Sequence, residues 1–149
     1  MFSVKQSTKN IGNEGEDIAA EYLIKKGYRI LTRNYRTKIG EFDIITKKSG
    51  KITFIEVKTI RQLPNNIRQS TGESGNYAKL NQANDVAEYD YLPEDHLDTK
   101  KIMKLRKLAQ MFAAKHYDLI SDDIGYQIDL IAIELFNVKQ FNLRHYENI

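Results

Sequence analysis

The stretch GEFDIITKKSGKITFIEVK, residues 40–58, reads as two short strands joined by a tight turn, yet it carries acids where a buried strand calls for apolar side chains. Glu41 and Asp43 stand on the first strand and Glu56 and Lys58 on the second, with Ile44, Ile45, Phe54, Ile55 and Val57 among them. Side chains alternate between the faces of a strand, so Glu41 shares a face with Asp43, and Glu56 shares one with Lys58. Which pairs meet depends on the turn. A two-residue loop at Ser49-Gly50 pairs Lys48 with Lys51, and a four-residue loop pairs Lys47 with Ile52. Both belong to one register, which sets Asp43 opposite Glu56 and Glu41 opposite Lys58. A three-residue loop would break that parity and put Asp43 over Ile55. Directly opposed Cβ atoms lie about 4.5–5.5 Å apart, and like charges there destabilise a sheet unless something positive sits between them. Glu41 and Lys58, in contrast, read as an ordinary cross-strand ion pair.

Working outward, NEGEDIAAEYLIKKG (residues 13–27) offers Asn13 as an N-cap with Glu16 three residues later. It continues with Ile18, Ala19, Tyr22 and Leu23 on one stripe and closes with Lys25, Lys26 and Gly27, a pattern that predicts a helix. YRILTRNYR (28–36), rich in β-branched and aromatic residues, predicts a strand. The following RQLPNNIRQSTGESGN (61–76), punctuated by Pro64, Gly72 and Gly75, reads as a loop. YAKLNQANDVAEYDYL (77–92) suggests a modest helix through Leu80, Ala83 and Ala87 that Pro93 ends, so residues 61–97 are expected to form an inserted loop and helix element. DTKKIMKLRKLAQMFAAKH (98–116) is the clearest helix, capped by Asp98 or Thr99, with Ile102, Leu105, Ala109 and Phe112 on its apolar side. Lys100, Lys104 and Lys107 share its exposed face, with Lys101 beside them. GYQIDLIAIELF (125–136) reads as a nearly continuous apolar strand and KQFNLRHY (139–146) as an edge strand. The expected architecture is therefore α/β, one domain over residues 1–149 with a mixed four- to five-stranded sheet flanked by helices.

Composition narrows the function classes. With 149 residues, a net charge of +3 and no cysteine, the chain suits one soluble domain without disulfides or thiolate metal sites. No apolar run approaches the roughly 20 residues of a membrane span, and the opening MFSVKQSTKN lacks the apolar segment of a secretory signal, so the expectation is a cytoplasmic protein without a membrane partner. His96, His116 and His145 do not have zinc-ligand spacing, and neither GxxxxGK nor GxGxxG occurs.

Opposed carboxylates beside a lysine suit phosphodiester cleavage. A hard ion such as Mg²⁺ is commonly held by one or two carboxylates plus substrate phosphate, and it acidifies a bound water that attacks in line. Asp43 and Glu56 supply the carboxylates, and Lys58 is suited to orienting that water and offsetting charge on the phosphoryl oxygens. Two acids flanked by isoleucines and valine are costly to desolvate without a counterion, which favours a site over a solvated edge. Glu16 has two readings, a capping-box acid or an additional metal or water-orienting group. Asp129, within QIDLIAI, is read as a hydrogen-bonded strand residue.

Taken together, GNEGEDIAAEYLIKKGYRILTRNYR, GEFD, EVK, KIMKLRKLAQMF and YQIDLIAI resemble the bacterial YraN family, which is placed in the PD-(D/E)xK, restriction-endonuclease-like superfamily with archaeal Holliday-junction resolvases as relatives. The resemblance implies an αβββαβ core and a single nuclease-like domain. It implies that Asp43, Glu56 and Lys58 match the catalytic and metal-binding positions, with Glu16 as the additional acid, and that Mg²⁺ or Mn²⁺ is the cofactor. Lys101, Lys104 and Arg61 are then candidates for nucleic-acid contact, DNA is the expected partner in branched or flapped form, and analogy to the resolvases implies a homodimer. Phe42 stands where the superfamily name has proline, and Gln127 where the family usually has arginine. Two function classes follow: a metal-dependent nuclease, or a non-catalytic nucleic-acid-binding or assembly module on the same fold.

Overall fold

The structure is a computed structural model and describes residues 8–62, 92–120, 123–137 and 140–149. Its elements are helix α1 (Thr8–Lys25), strands β1 (Arg29–Arg36), β2 (Glu41–Lys48) and β3 (Lys51–Arg61), helix α2 (Thr99–Lys115), and strands β4 (Tyr126–Asn137) and β5 (Gln140–Tyr146). One-turn 3₁₀ segments, Pro93–His96 and Tyr117–Leu119, flank α2. The sheet order is β1-β2-β3-β4-β5, and only β3 and β4 run parallel, as the α2 crossover between them requires. This is the mixed five-stranded sheet with helices and the αβββαβ order that the sequence led one to expect. The helix expected around Leu80 lies outside the described residues. Among the described residues, no helix is long and apolar enough to cross a membrane.

The hairpin turns at Ser49-Gly50, whose φ angles of 49° and 85° are both positive, as in the turn whose twist matches two antiparallel strands. Its ladder runs from Lys48↔Lys51 to Ile44↔Ile55, the register read from the sequence. Side-chain alternation then divides the core between two faces. Ile44, Ile55 and Val57 pack with Ala19, Ala20 and Leu23 of α1 and with Ile131, Ile133 and Leu135 of β4. On the other face, Ile45, Ile52 and Phe54 pack with Leu105, Leu108, Ala109 and Phe112 of α2. Phe54 anchors this layer through aromatic contacts, stacked on Phe42 at 4.6 Å and edge-on to Phe112 at 5.2 Å, each worth about 0.5–1.5 kcal/mol beyond burial.

Two expectations about α1 and α2 need amendment. The first helix starts at Thr8, so Asn13 lies within it and is not its N-cap; Ile11 packs against the α1-side core and extends the helix backwards. Asp98 does cap α2, accepting the Lys101 amide at 2.7 Å, but Leu108 joins Leu105, Ala109 and Phe112 on the buried stripe and Ile102 is only partly covered. The turn preceding α2 is latched to the sheet by Arg144, which grips Glu94 through two bonds of 2.9 and 2.8 Å and also bonds Glu134. Burial would raise the Glu94 carboxyl, but hydrogen bonds from Arg144 and Tyr146 overcome that and hold its pKa at about 2.

Helix α1 crosses β3 at Gly15. A Cβ placed there would stand 1.8 Å from Thr59 Oγ1, so helix and strand approach as closely as backbone permits. Gly15→Ala should gain up to about 1 kcal/mol of helix propensity but lose about 1–3 kcal/mol to overpacking, because threonine is short and cannot swing away. The expected outcome is a net loss of about 1–2 kcal/mol in urea denaturation, partly restored by Thr59→Ala in the same chain. A neutral Gly15→Ala would show that this crossing has slack.

Candidate metal centre

Beyond Ile44 and Ile55 the two central hairpin strands part. Phe42 and Ile45, three residues apart, belong to the same core cluster, so strict alternation breaks across Asp43. Where β2 no longer offers a main-chain acceptor, Asp43 supplies its side chain: Oδ2 accepts the Val57 amide at 2.7 Å. Across from this break, Asn34 of β1 lies between the Arg33↔Ile44 and Tyr35↔Phe42 pairs and has a left-handed φ of 53°, a conformation that asparagine tolerates better than most residues.

Glu56 stands on β3 one residue before Val57, on the α2 side with Phe54 and Lys58. It is 2% exposed. Its Oε1 accepts two ammonium groups, Lys58 Nζ at 2.5 Å and Lys101 Nζ at 3.0 Å, while its Oε2 is buried with no hydrogen-bond partner among the described residues. Burial chiefly, then the charge of Glu56 and that of Glu16, push the Asp43 carboxyl from its ordinary 3.8 up to about 7, against the lowering effects of the Val57 amide and Lys58. Asp43, Glu56 and Lys58 are thus gathered where the strands part. Glu16 acts on Asp43 through its charge, but its own carboxylate is held by Asn34 Nδ2 at 3.1 Å with Arg33 at 3.7 Å. Among the described residues no three His, Cys, Asp or Glu side chains already form a closed ligand cluster.

The remaining candidates separate. Lys101, expected at a phosphate, reaches Glu56 instead; Lys104 lies exposed on α2, beside Gly40 of the β1–β2 turn. Arg61 shares the α1 face of β3 with Val57 and Thr59, opposite to Glu56, and pairs with Glu14 at 2.5 Å. The expected Glu41–Lys58 pair does not form. Because β1 and β2 stay paired at Arg36↔Glu41 while β2 and β3 have parted, Glu41 bonds Arg36 at 2.8 Å and Lys58 takes Glu56. Asp129 is fully buried and satisfied by Gln127, His145 and the Asn148 amide, each at 2.9 Å. Sequence reasoning missed Asn34 and the Lys101–Glu56 contact. An asparagine inside a strand run, and a lysine four residues before buried Leu105, were the available signals. The hollow at the β4–β5 corner, lined by Phe136, Gln140, Phe141 and Asn142, shares no residue with this cluster.

The raised Asp43 carboxyl has a definite pH signature in metal-free protein. Between about pH 4 and 7 the folded state keeps a proton that the unfolded state has released, so this group's contribution to stability falls as pH rises and is fully lost above 7. Asp43→Asn removes that penalty. With EDTA present, the variant should gain about 1–3 kcal/mol on the wild type between pH 4.5 and 8, measured by urea denaturation at each pH. A gap independent of pH would mean that the carboxyl titrates normally.

Comparison with known sequences places the chain among relatives of matching length. A protein from Alkaliphilus oremlandii is 34% identical over 140 residues, covering 94% of this chain and 97% of its own. One from Persephonella marina is 35% identical over 134 residues, 90% of each chain, and one from Caldicellulosiruptor bescii is 33% identical over 138, covering 91% and 93%. All three are described as UPF0102 proteins. The sequence profile of the uncharacterised protein family UPF0102 matches residues 15–133, from the glycine at the α1–β3 crossing to the interior of β4. The chain therefore belongs to UPF0102, the YraN family.

Proposed function

We propose that this protein is a divalent-metal-dependent nuclease that hydrolyses phosphodiester bonds of DNA, with Asp43 and Glu56 holding Mg²⁺ or Mn²⁺. Glu56 carries the proposal. A buried carboxylate oxygen without a donor costs about 1–3 kcal/mol or more, and among the described residues Glu56 Oε2 is such an oxygen. Asp43 adds a second acid whose ionisation is opposed by its neighbour's charge, an opposition that a cation held between the two would relieve. The donors are hard oxygens, and Mg²⁺ commonly binds through one or two carboxylates while keeping several waters, so two suffice. When bound, such a cation withdraws charge from a phosphoryl group and acidifies neighbouring water.

The chain's own residues then have separate tasks. Lys58, 2.5 Å from Glu56, has an ammonium suited to orienting water and offsetting charge on phosphoryl oxygens. Glu16, steadied by Asn34, serves as an outer acid that orients water rather than as a direct ligand. Exposed Lys100, Lys104 and Lys107 give a phosphate backbone a positive surface on α2, which makes binding salt-dependent. The likeness to the resolvases extends the proposal to branched or flapped DNA and to a homodimer.

Purified protein with Mg²⁺ or Mn²⁺, incubated with duplex, single-stranded, flap and four-way DNA, should cleave at least one of them. Asp43→Asn, Glu56→Gln and Lys58→Ala should each lower the rate by about 10²–10³-fold or more with circular dichroism unchanged. For Lys58→Ala the fold should survive because Lys101 still neutralises Glu56. DNA left intact throughout the panel with either metal would overturn the proposal. Salt-sensitive binding under those conditions would leave the non-catalytic nucleic-acid module.

A further inference from the structure

Lys101 is placed against two ordinary preferences. It lies in the first turn of α2, where the helix dipole disfavours cations, an effect that the Asp98 cap carboxylate offsets only in part. It also stands four residues before Leu105, at the head of the stripe that continues through Leu108, Ala109 and Phe112 into the core, so its side chain is directed towards the sheet and away from the solvated face of Lys100, Lys104 and Lys107. Asp98 pins its backbone amide at 2.7 Å, which leaves the long side chain as the movable part. What holds the ammonium there is Glu56 Oε1, 3.0 Å away.

That carboxylate already has a counterion. Lys58, two residues along the same strand and at 2.5 Å, neutralises Glu56, so the second ammonium leaves the group of three with one positive charge in surplus. A divalent cation meeting Glu56 Oε2 would find that surplus charge on the other oxygen of the same carboxylate. Repulsion at such range in a partly buried setting opposes the cation's approach. Lys101 is 32% exposed and has an open route to solvent, whereas Glu56 is buried and cannot move to meet a new partner elsewhere.

We infer that Lys101 is a positioning residue that occupies Glu56 in the cation-free protein and must give up that carboxylate when a divalent cation binds. The inference rests on the proposed metal site. Lys101 thereby steadies a buried acid that has no other cross-element partner in the described structure, and its withdrawal adds a charge to the lysine face of α2, where Lys104 lies one turn on. Lys58, two residues along the same strand, stays beside Glu56 as its remaining counterion.

The test is calorimetric titration of Mn²⁺ alone into wild type, Lys101→Met, Lys101→Gln and Lys107→Met at pH 7.5, each checked for folding by circular dichroism. Both Lys101 variants should bind Mn²⁺ about three- to tenfold more tightly than wild type, because the competing ammonium is gone. Lys107→Met, which removes the same charge from the exposed face, should change affinity by less than about twofold. Equal or weaker binding in the Lys101 variants, or an equal gain in Lys107→Met, would overturn the competition while leaving the metal site intact. Mn²⁺ binding to none of the four would remove the metal site itself, and the inference with it.

Discussion

The hydrogen bond from the Val57 amide to Asp43 Oδ2 spans the gap where β2 leaves β3, and the rest of the centre depends on that gap. An antiparallel ladder that ran on past Ile44↔Ile55 would bring Asp43 and Glu56 together as a directly opposed, like-charged pair within a regular sheet. The strands part instead. The orphaned amide on β3 is satisfied by a carboxylate rather than by a carbonyl, and a partly buried backbone group is thereby kept from going unpaired. The price is an acid retained in a desolvated position, where burial and the charges of Glu56 and Glu16 oppose its ionisation. One backbone irregularity therefore fixes where the negative charge collects.

The two core layers explain why that charge stays in place. On the α1 side Gly15 lets the helix rest directly on Thr59, and on the α2 side Phe42, Phe54 and Phe112 form a continuous aromatic contact. Glu56 is set among these layers by strand geometry, since its neighbours Ile55 and Val57 are committed to the α1 core and Phe54 to the α2 core. With its backbone fixed between these layers, Glu56 keeps its carboxylate buried. Ammonium groups come to it instead.

Much of this was legible in the sequence, for reasons that differ by element. The hairpin register followed from period-two alternation and a Ser-Gly turn, and the α2 stripe from three- and four-residue spacing, because both are local consequences of backbone geometry. The start of α1 was not, since Ile11 is drawn into the helix by packing that no local cap announces. The Glu41–Lys58 expectation extended a correct register beyond the point where the strands remain paired. Only the tertiary course of β2 reveals that limit, through Asp43 taking over an acceptor's role. Asn34 beside Glu16 and Lys101 beside Glu56 join residues far apart in the chain, which single-strand and single-helix patterns cannot report.

The two lysines on Glu56 also differ in what their contacts require. Lys58 lies two residues from Glu56 on the same face of one strand, so any conformation extended through residues 56–58 brings the pair near each other. Lys101 arrives only when α2 docks, which is driven by Leu105, Leu108, Ala109 and Phe112 closing over Phe54 and its neighbours. The full charge arrangement around Glu56 is therefore conditional on the α2-side core. Loosening that core withdraws an ammonium from a buried carboxylate at the moment it exposes apolar surface, so packing and electrostatics fail together rather than in sequence. A centre assembled in this way is tied to the folded state of the whole crossover, and α2 is at once a structural layer and part of the site's chemistry.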